Sequence, residues 1–456
     1  MNTDTQPIPE TNPQLIAGVS CHGDASGCHG DASGATPPAG LGAVKGIRCA
    51  GVSAGFRKNP QRKDLALITA PAGSVAAGVF TQNRFSAAPV QVSRQHLALM
   101  QTGGPDAQNP DFRALLINSA NANAVTGLVG LATAQVSCRI TADALGVRPE
   151  QVLVASTGVI GVPLEQETFI QGVPLAIAAL GRADGTDTQA GLAAAEAIMT
   201  TDTRPKQAAQ RFSATQSDGT EVTYTVGGMA KGSGMIQPDM ATLIAVLATD
   251  ALLTTEAVQQ ALTEAMAVSF NKVTIDTDTS TNDSAFLIAT GATRGKTINP
   301  TCPLYEPFVE ALSAVCQDLA YQIVKDGEGV TKVITVELSG AASAHDADAA
   351  ARAVANSPLV KTAIAGRDAN WGRIAMALGK SGVSFSPQDV NIRIAGLVVC
   401  EDGLPVNFDE AEMLNRLEDF EEIVIAIDLG AGDFVTRIWG CDLTHGYITI
   451  NGDYRT

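Results

Sequence analysis

Hydrophobic and polar positions alternate with a period of two in several short stretches of the chain. The segment Thr331-Lys332-Val333-Ile334-Thr335-Val336-Glu337-Leu338 is one of them. That period puts alternate side chains on opposite faces of a half-buried strand. Short aliphatic runs predict further strands at Leu65–Thr69, Leu115–Asn118, Val152–Ala155, Glu221–Val226, Leu243–Ala248, Val333–Leu338, Asn391–Ile394, Ile423–Ile427, Phe434–Trp439 and Tyr447–Ile450. Steps of three and four predict helices instead. In Pro307–Val324 the apolar positions Phe308, Leu312, Val315, Leu319 and Ile323 fall on one stripe. Gln189–Met199 and Thr255–Ala267 are alanine-rich helix candidates. Ser357, Pro358 and Gly366 bracket Leu359–Ala365 as N-cap, first-turn proline and C′ glycine. The pattern as a whole predicts an α/β or α+β protein with helices layered on sheet.

The first 40 residues break this pattern. They are rich in Gly, Ser, Pro and Asp, and the heptad Cys21–Gly27 (CHGDASG) repeats unchanged at Cys28–Gly34. Two Cys-His pairs could offer metal ligands, but tandem duplication in a low-complexity, disordered tail is the simpler reading, and no metal is expected. Elsewhere 456 residues with 45% apolar content describe a folded protein, and aromatics at 4% leave the core to aliphatic packing. A net charge of −17 disfavours nucleic acid, whose phosphates demand a basic face. Eight scattered cysteines without a CxxC pair read as reduced thiols. No apolar run is long enough to span a membrane, and the acidic N-terminus lacks the features of a leader. A cytoplasmic location is expected.

The candidate chemistry centres on Lys231-Gly232-Ser233-Gly234-Met235-Ile236-Gln237-Pro238-Asp239-Met240-Ala241-Thr242, a glycine-rich stretch that runs into the apolar Leu243–Ala248. Cutting the Ala241–Thr242 bond would give Thr242 a hydroxyl and a free α-amine on one residue. That pairs a nucleophile with its own general base. An α-amine of pKa about 7.7–8.0 is well poised to take the hydroxyl proton. The hydroxyl could itself attack the Ala241 carbonyl, and hydrolysis of the resulting ester would complete a self-cleavage. Ser156-Thr157-Gly158 follows a strand and can supply a hydroxyl and an amide to an oxyanion. Lys231 can neutralise a carboxylate, and the Gly-flanked Glu328 suits an ammonium. The five histidines have no neighbouring Ser or Cys motif for a conventional triad. Asp276, Asp278, Asn282 and Asp283 lack the spacing of a calcium loop, and Gly372–Ser381 has two residues too many for a phosphate-binding loop.

Gly227–Ala251 (GGMAKGSGMIQPDMATLIAVLATDA) resembles the signature of the ornithine acetyltransferase family, the glutamate N-acetyltransferases. The resemblance runs from about residue 41 to the end, with several motifs in family order. It implies a layered, Ntn-like α/β sandwich, self-cleaved into an α chain (41–241) and a β chain (242–456) that stay together as one catalytic unit, likened in the family to a heterotetramer. It also implies residue roles. Thr242 is the nucleophile and Ala241 its partner at the cut. Thr157 and Gly158 of Ser-Thr-Gly-Val-Ile-Gly form the oxyanion hole. Thr200 of Thr-Thr-Asp-Thr, Lys231, Thr242, Glu328 of Asp-Gly-Glu-Gly, Asn451 and Thr456 contact substrate. The implied reaction moves an acetyl group from N-acetylornithine to glutamate in arginine biosynthesis, without a cofactor. Some members also use acetyl-CoA as co-substrate. A related self-processing aminopeptidase or hydrolase is the rival reading. Asn118–Ala124 resembles the family's Asn-rich loop, but Ala120 stands where the family has glycine, which bears on the turn. Gly366–Arg373 is family-like without an assigned role.

Overall fold

The computed structural model describes residues 40–101, 111–215, 219–237 and 243–453. The duplicated heptad lies outside them. The chain divides into two compact units, one of Ala35–Glu328 with Thr449–Thr456, the other containing Gly329–Ile448.

The first unit holds β1 (Arg48–Val52), β2 (Leu65–Phe80), α1 (Ala88–Gln101), β3 (Phe112–Asn118), α2 (Gly127–Leu145), β4 (Val152–Ser156), α3 (Gln166–Ala178), α4 (Thr188–Ala197), β5 (Lys206–Thr215), β6 (Glu221–Lys231), β7 (Ile244–Thr249), α5 (Thr255–Ala267), β8 (Ser284–Ala289) and α6 (Tyr305–Lys325). The strands join in the order β4-β3-β2-β8-β7-β6-β5, with β1 paired to β2. β2 belongs to both halves of this sheet. Leu65–Thr69 pairs with β3 and Val75–Phe80 with β8. Between them the register shifts around the exposed Pro71 and Gly73, where proline cannot donate to a ladder.

The alternation of side chains across the pleat separates two cores. Ala66, Ile68, Leu115 and Ile117 from one half share a cluster with Ile244, Val246, Phe286 and Ile288 from the other. The opposite face of the first half, including Leu65, Leu67, Leu116 and Val154, packs on Cys138 of α2 and Phe169 and Val173 of α3. Beyond the second half, α5 contacts β2 and β8, and α6 contacts β5 and β6. The result is helix, sheet, sheet, helix, the layered α/β sandwich that the pattern predicts. β2, β3, β4, β7 and β8 read as nearly continuous apolar runs because both faces are covered.

The second unit contains β9 (Val333–Ala341), α7 (Ala344–Ala355), α8 (Pro358–Ala365), α9 (Trp371–Gly379), β10 (Asn391–Ile394), β11 (Leu397–Glu401), β12 (Leu404–Pro405), α10 (Glu410–Asp419), β13 (Glu422–Asp428) and β14 (Phe434–Cys441). Its sheet runs β12-β11-β10-β13-β9-β14, with β9 and β13 parallel. Ser357 caps α8 by accepting from the Val360 amide, but Gly366 is not left-handed (φ −84°), and the positive φ falls on Arg367 (+57°). The last element, α11 (His445–Asp453), corrects the strand expected at Tyr447–Ile450. The Thr444 hydroxyl accepts from the Gly446 amide at its start, and Ile448 and Ile450 are exposed, with no sheet face to bury them. Every described cysteine is buried and none is in a disulfide. Among the described residues, no helix is long and apolar enough to cross a membrane.

Candidate active site

The expected residues of the first unit collect where β4 and β6 end and β7 and β8 begin. Lys231 is the last residue of β6, facing Ile244 across the ladder. The sequence reading placed it on the glycine loop, but pairing with β7 holds it in the strand. It is 8% exposed, and its side-chain ammonium makes no hydrogen bond or ion pair among the described residues. Burial lowers its pKa, while the carboxylates of Asp202, Asp283 and Glu328 act to raise it and the Lys206 ammonium to lower it further. A buried ammonium that feels three carboxylates but bonds to none of them keeps its donors for another acceptor.

The glycine loop beyond Lys231 is pinned from both sides. The Gly232 amide donates to Asp202 at 2.7 Å, the Ser233 hydroxyl to the Asp326 carbonyl at 2.6 Å, and the Glu328 amide to the Ser233 carbonyl at 2.9 Å. The amides of Met235 and Ile236 donate to the Asp276 carboxylate at 2.6 and 2.8 Å. The loop backbone passes close to Glu328 at Gly234, where a Cβ would lie 2.4 Å from Glu328 Oε2 and displace that carboxylate. Glu328 is 7% exposed, accepts from the Asn451 amide group at 2.7 Å, and has no cation partner among the described residues. Thr200 follows α4 and gives its amide to Asp202 at 2.9 Å, with its hydroxyl 3.5 Å from the same oxygen. Asp202 is buried, which acts to raise its pKa. The Lys231 and Lys206 charges and its hydrogen bonds prevail and hold it below the ordinary carboxylate range.

Thr157 and Gly158 leave the end of β4. The Thr157 amide donates to the Asn118 carbonyl at 3.0 Å, and its hydroxyl makes no hydrogen bond among the described residues. Gly158 has φ +132°, and a Cβ on it would lie 2.2 Å from the Ala120 carbonyl carbon. Ala120 itself stands at φ +78°, so the alanine adopts the conformation that glycine would. Asn282 ties this corner to β8, donating to the carbonyls of Ala122 at 2.5 Å and Ser156 at 2.9 Å. Next to it Asp283 is buried, with Oδ2 unpartnered among the described residues, and burial pushes its pKa well up.

Thr242, Ala241 and Thr456 lie outside the described residues. The structure therefore gathers Lys231, Glu328, Asn451 and the Thr200 turn through shared hydrogen bonds and fields. It places Thr157 and Gly158 at the end of β4, where Asn282, the residue before Asp283, donates to the Ser156 carbonyl. Sequence reasoning missed the anchoring roles of Asp202, Lys206, Asp326 and Asn282. The only available signal was the run Thr200–Lys206, with an acid and a lysine four apart beside the threonines. The Asp276–Asp283 segment, weighed for a metal, supplies loop contacts instead. Among the described residues, no group of His, Cys, Asp and Glu is placed to hold a metal ion.

Fold and site define a layered α/β protein with a small, charge-lined site at the strand ends of its sandwich. The chain belongs to the ArgJ family, whose sequence model matches residues 48–456. An arginine biosynthesis bifunctional protein ArgJ from Symbiobacterium thermophilum is 46% identical over 91% of this chain and 98% of its own. The protein of the same description from Gluconobacter oxydans is 43% identical over 92% of this chain and 95% of its own. A solved argJ structure from Bacillus halodurans is 40% identical, with a TM-score of 0.44, over 45% of this chain and 96% of that one.

Proposed function

We propose that this chain transfers the acetyl group of N-acetyl-L-ornithine to L-glutamate through an acetyl ester on Thr242, in arginine biosynthesis. The observation that carries this reading is the buried Lys231 ammonium, unpaired among the described residues, in a field of carboxylates that includes Glu328. Such a site suits a small molecule with a carboxylate and an ammonium, as ornithine and glutamate derivatives have. Membership of the ArgJ family and relatives named for arginine biosynthesis support the same reaction and not the hydrolase alternative.

In this mechanism the Ala241–Thr242 bond is first cut by the Thr242 hydroxyl, through an ester that water hydrolyses. The freed α-amine then takes the hydroxyl proton as the oxygen attacks the acetyl carbonyl of N-acetylornithine. The Thr157 hydroxyl and Gly158 amide stabilise the oxyanion, a contribution of about 2.7–4 kcal/mol per donor in water-excluded sites. Collapse expels ornithine, whose nitrogen receives that proton. The glutamate amine attacks the ester in turn, giving N-acetylglutamate and restoring the threonine. Lys231 takes a substrate carboxylate, while Glu328, Asn451, Thr200 and Thr456 hold its other polar groups.

No cofactor is required. Acetyl-CoA is proposed as a second acetyl donor, in keeping with relatives described as bifunctional. The proposed assembly is an Ntn-like heterotetramer of α (41–241) and β (242–456) chains in the cytoplasm.

Thr242→Ala is expected to leave one uncut chain by intact mass spectrometry and to release no ornithine. The wild type should give pieces ending at Ala241 and starting at Thr242, with ornithine release that depends on glutamate. A processed, active Thr242→Ala protein would remove Thr242 from the reaction.

A further inference from the structure

Lys206 opens β5 and is 0% exposed, so no substrate reaches it. Its ammonium donates to Asp202 Oδ1 at 2.7 Å and to Asp326 Oδ2 at 2.6 Å. Each carboxylate then fastens other segments. Asp202 receives the amides of Thr200 at 2.9 Å and of Gly232 at 2.7 Å. Asp326 receives the amide of Thr203 at 3.1 Å and the Thr203 hydroxyl, and its carbonyl receives the Ser233 hydroxyl at 2.6 Å. One buried cation thus joins the Thr200 turn, the loop after Lys231 and the turn that ends in Glu328.

Stability alone is a poor reason for this arrangement, because apolar side chains of similar volume often serve a core as well as buried ion pairs. Its distinguishing property is geometric. A lysine between two carboxylates sets the spacing of the backbone segments attached to those carboxylates. Without it, Asp202 keeps only the field of Lys231 and Asp326 the half-exposed Arg204 at 3.9 Å, and neither bridges the two carboxylates, so their segments lose the tie between them.

We propose that the Asp202–Lys206–Asp326 cluster is a positioning device for the amino-acid substrate, fixing the distance between Lys231, which takes a carboxylate, and Glu328, which takes an ammonium. This rests on the acetyl-transfer reading above. It predicts damage confined to substrates that use both ends of the site. A simple ester such as p-nitrophenyl acetate has neither a carboxylate nor an ammonium, and needs only the nucleophile and the oxyanion donors.

The test is steady-state kinetics of Lys206→Met with N-acetylornithine and with glutamate, beside the acetylation burst with p-nitrophenyl acetate. The KM for each amino-acid substrate is expected to rise at least about tenfold, since misplaced contacts far from the chemistry can cost on the order of a hundredfold. The ester burst should change less than about threefold. Amino-acid KM values within about twofold of wild type would overturn the proposal, as would equal losses on all three substrates, the mark of general destabilisation. Should Lys206→Met fail to fold, Asp326→Asn, which keeps the side-chain shape and removes the charge, is read for the same split and by the same criteria. A wild type that releases no ornithine on adding glutamate refutes the acetyl-transfer reading itself, and the positioning role falls with it.

Discussion

Ala120 occupies a backbone conformation that costs a side chain-bearing residue on the order of 1–2 kcal/mol. Its carbonyl carbon lies against Gly158, so relief on one side is felt on the other. Ala120→Gly is expected to stabilise the protein by about 0.5–1 kcal/mol after the extra unfolded-state freedom of glycine is subtracted, read as a higher midpoint in urea. An unchanged or lower midpoint would mean the turn carries no such strain. Single residues were legible in the sequence where chemistry is local. The glycine loop, Ser-Thr-Gly and Asp-Gly-Glu-Gly stood out as local signals, but their expected roles came from the family resemblance. Lys206 did not stand out, because a lysine after proline in a polar turn reads as a solvated charge. Its complete burial depends on Asp326, which is 120 positions away.

Elements were legible where one face or both faces of a segment are apolar over its whole length. Asn391–Ile394 and Thr255–Ala267 have the expected limits, and Leu243–Ala248 is shifted by one residue. β2 was underestimated because Pro71 and Gly73 look like a strand end, whereas the strand continues past them into the other half of the sheet. α11 was misread because two isoleucines two apart suggest a pleat, and only the Thr444 cap and the lack of a covered face reveal a helix. At this scale Asn282, two residues before β8, bonds the last residue of β4, a strand with which β8 shares no ladder. Asn282→Ala leaves two buried carbonyls without their donor, and should cost about 1–3 kcal/mol in a urea titration. It should also lower kcat, because the Ser156 carbonyl precedes Thr157. A full-activity variant with unchanged midpoint would show that the corner stands without this tie.

For the molecule as a whole, the division into compact units falls at Glu328–Gly329, and the proposed cut at Ala241–Thr242 lies within the first unit. The α/β class and the layering were readable from periodicity. The order of the strands was not, because pairing between distant segments leaves no local pattern. That order has a chemical consequence. β7 and β8 follow the cut, yet they sit side by side with β2 on one flank and β6 on the other, both of which precede it. Before cleavage, regaining this sheet is a reaction of one molecule with itself. Afterwards it needs two molecules to meet, and exposed strand edges on each to survive the wait. Cleaved wild type, unfolded in guanidinium and diluted, should recover less activity as the protein is made more dilute. Thr242→Ala should regain its native circular dichroism equally at every concentration. The proposed cut would work as a ratchet: it would change the molecularity of refolding, so each copy of the enzyme would assemble its interior once and thereafter last only as long as that assembly does.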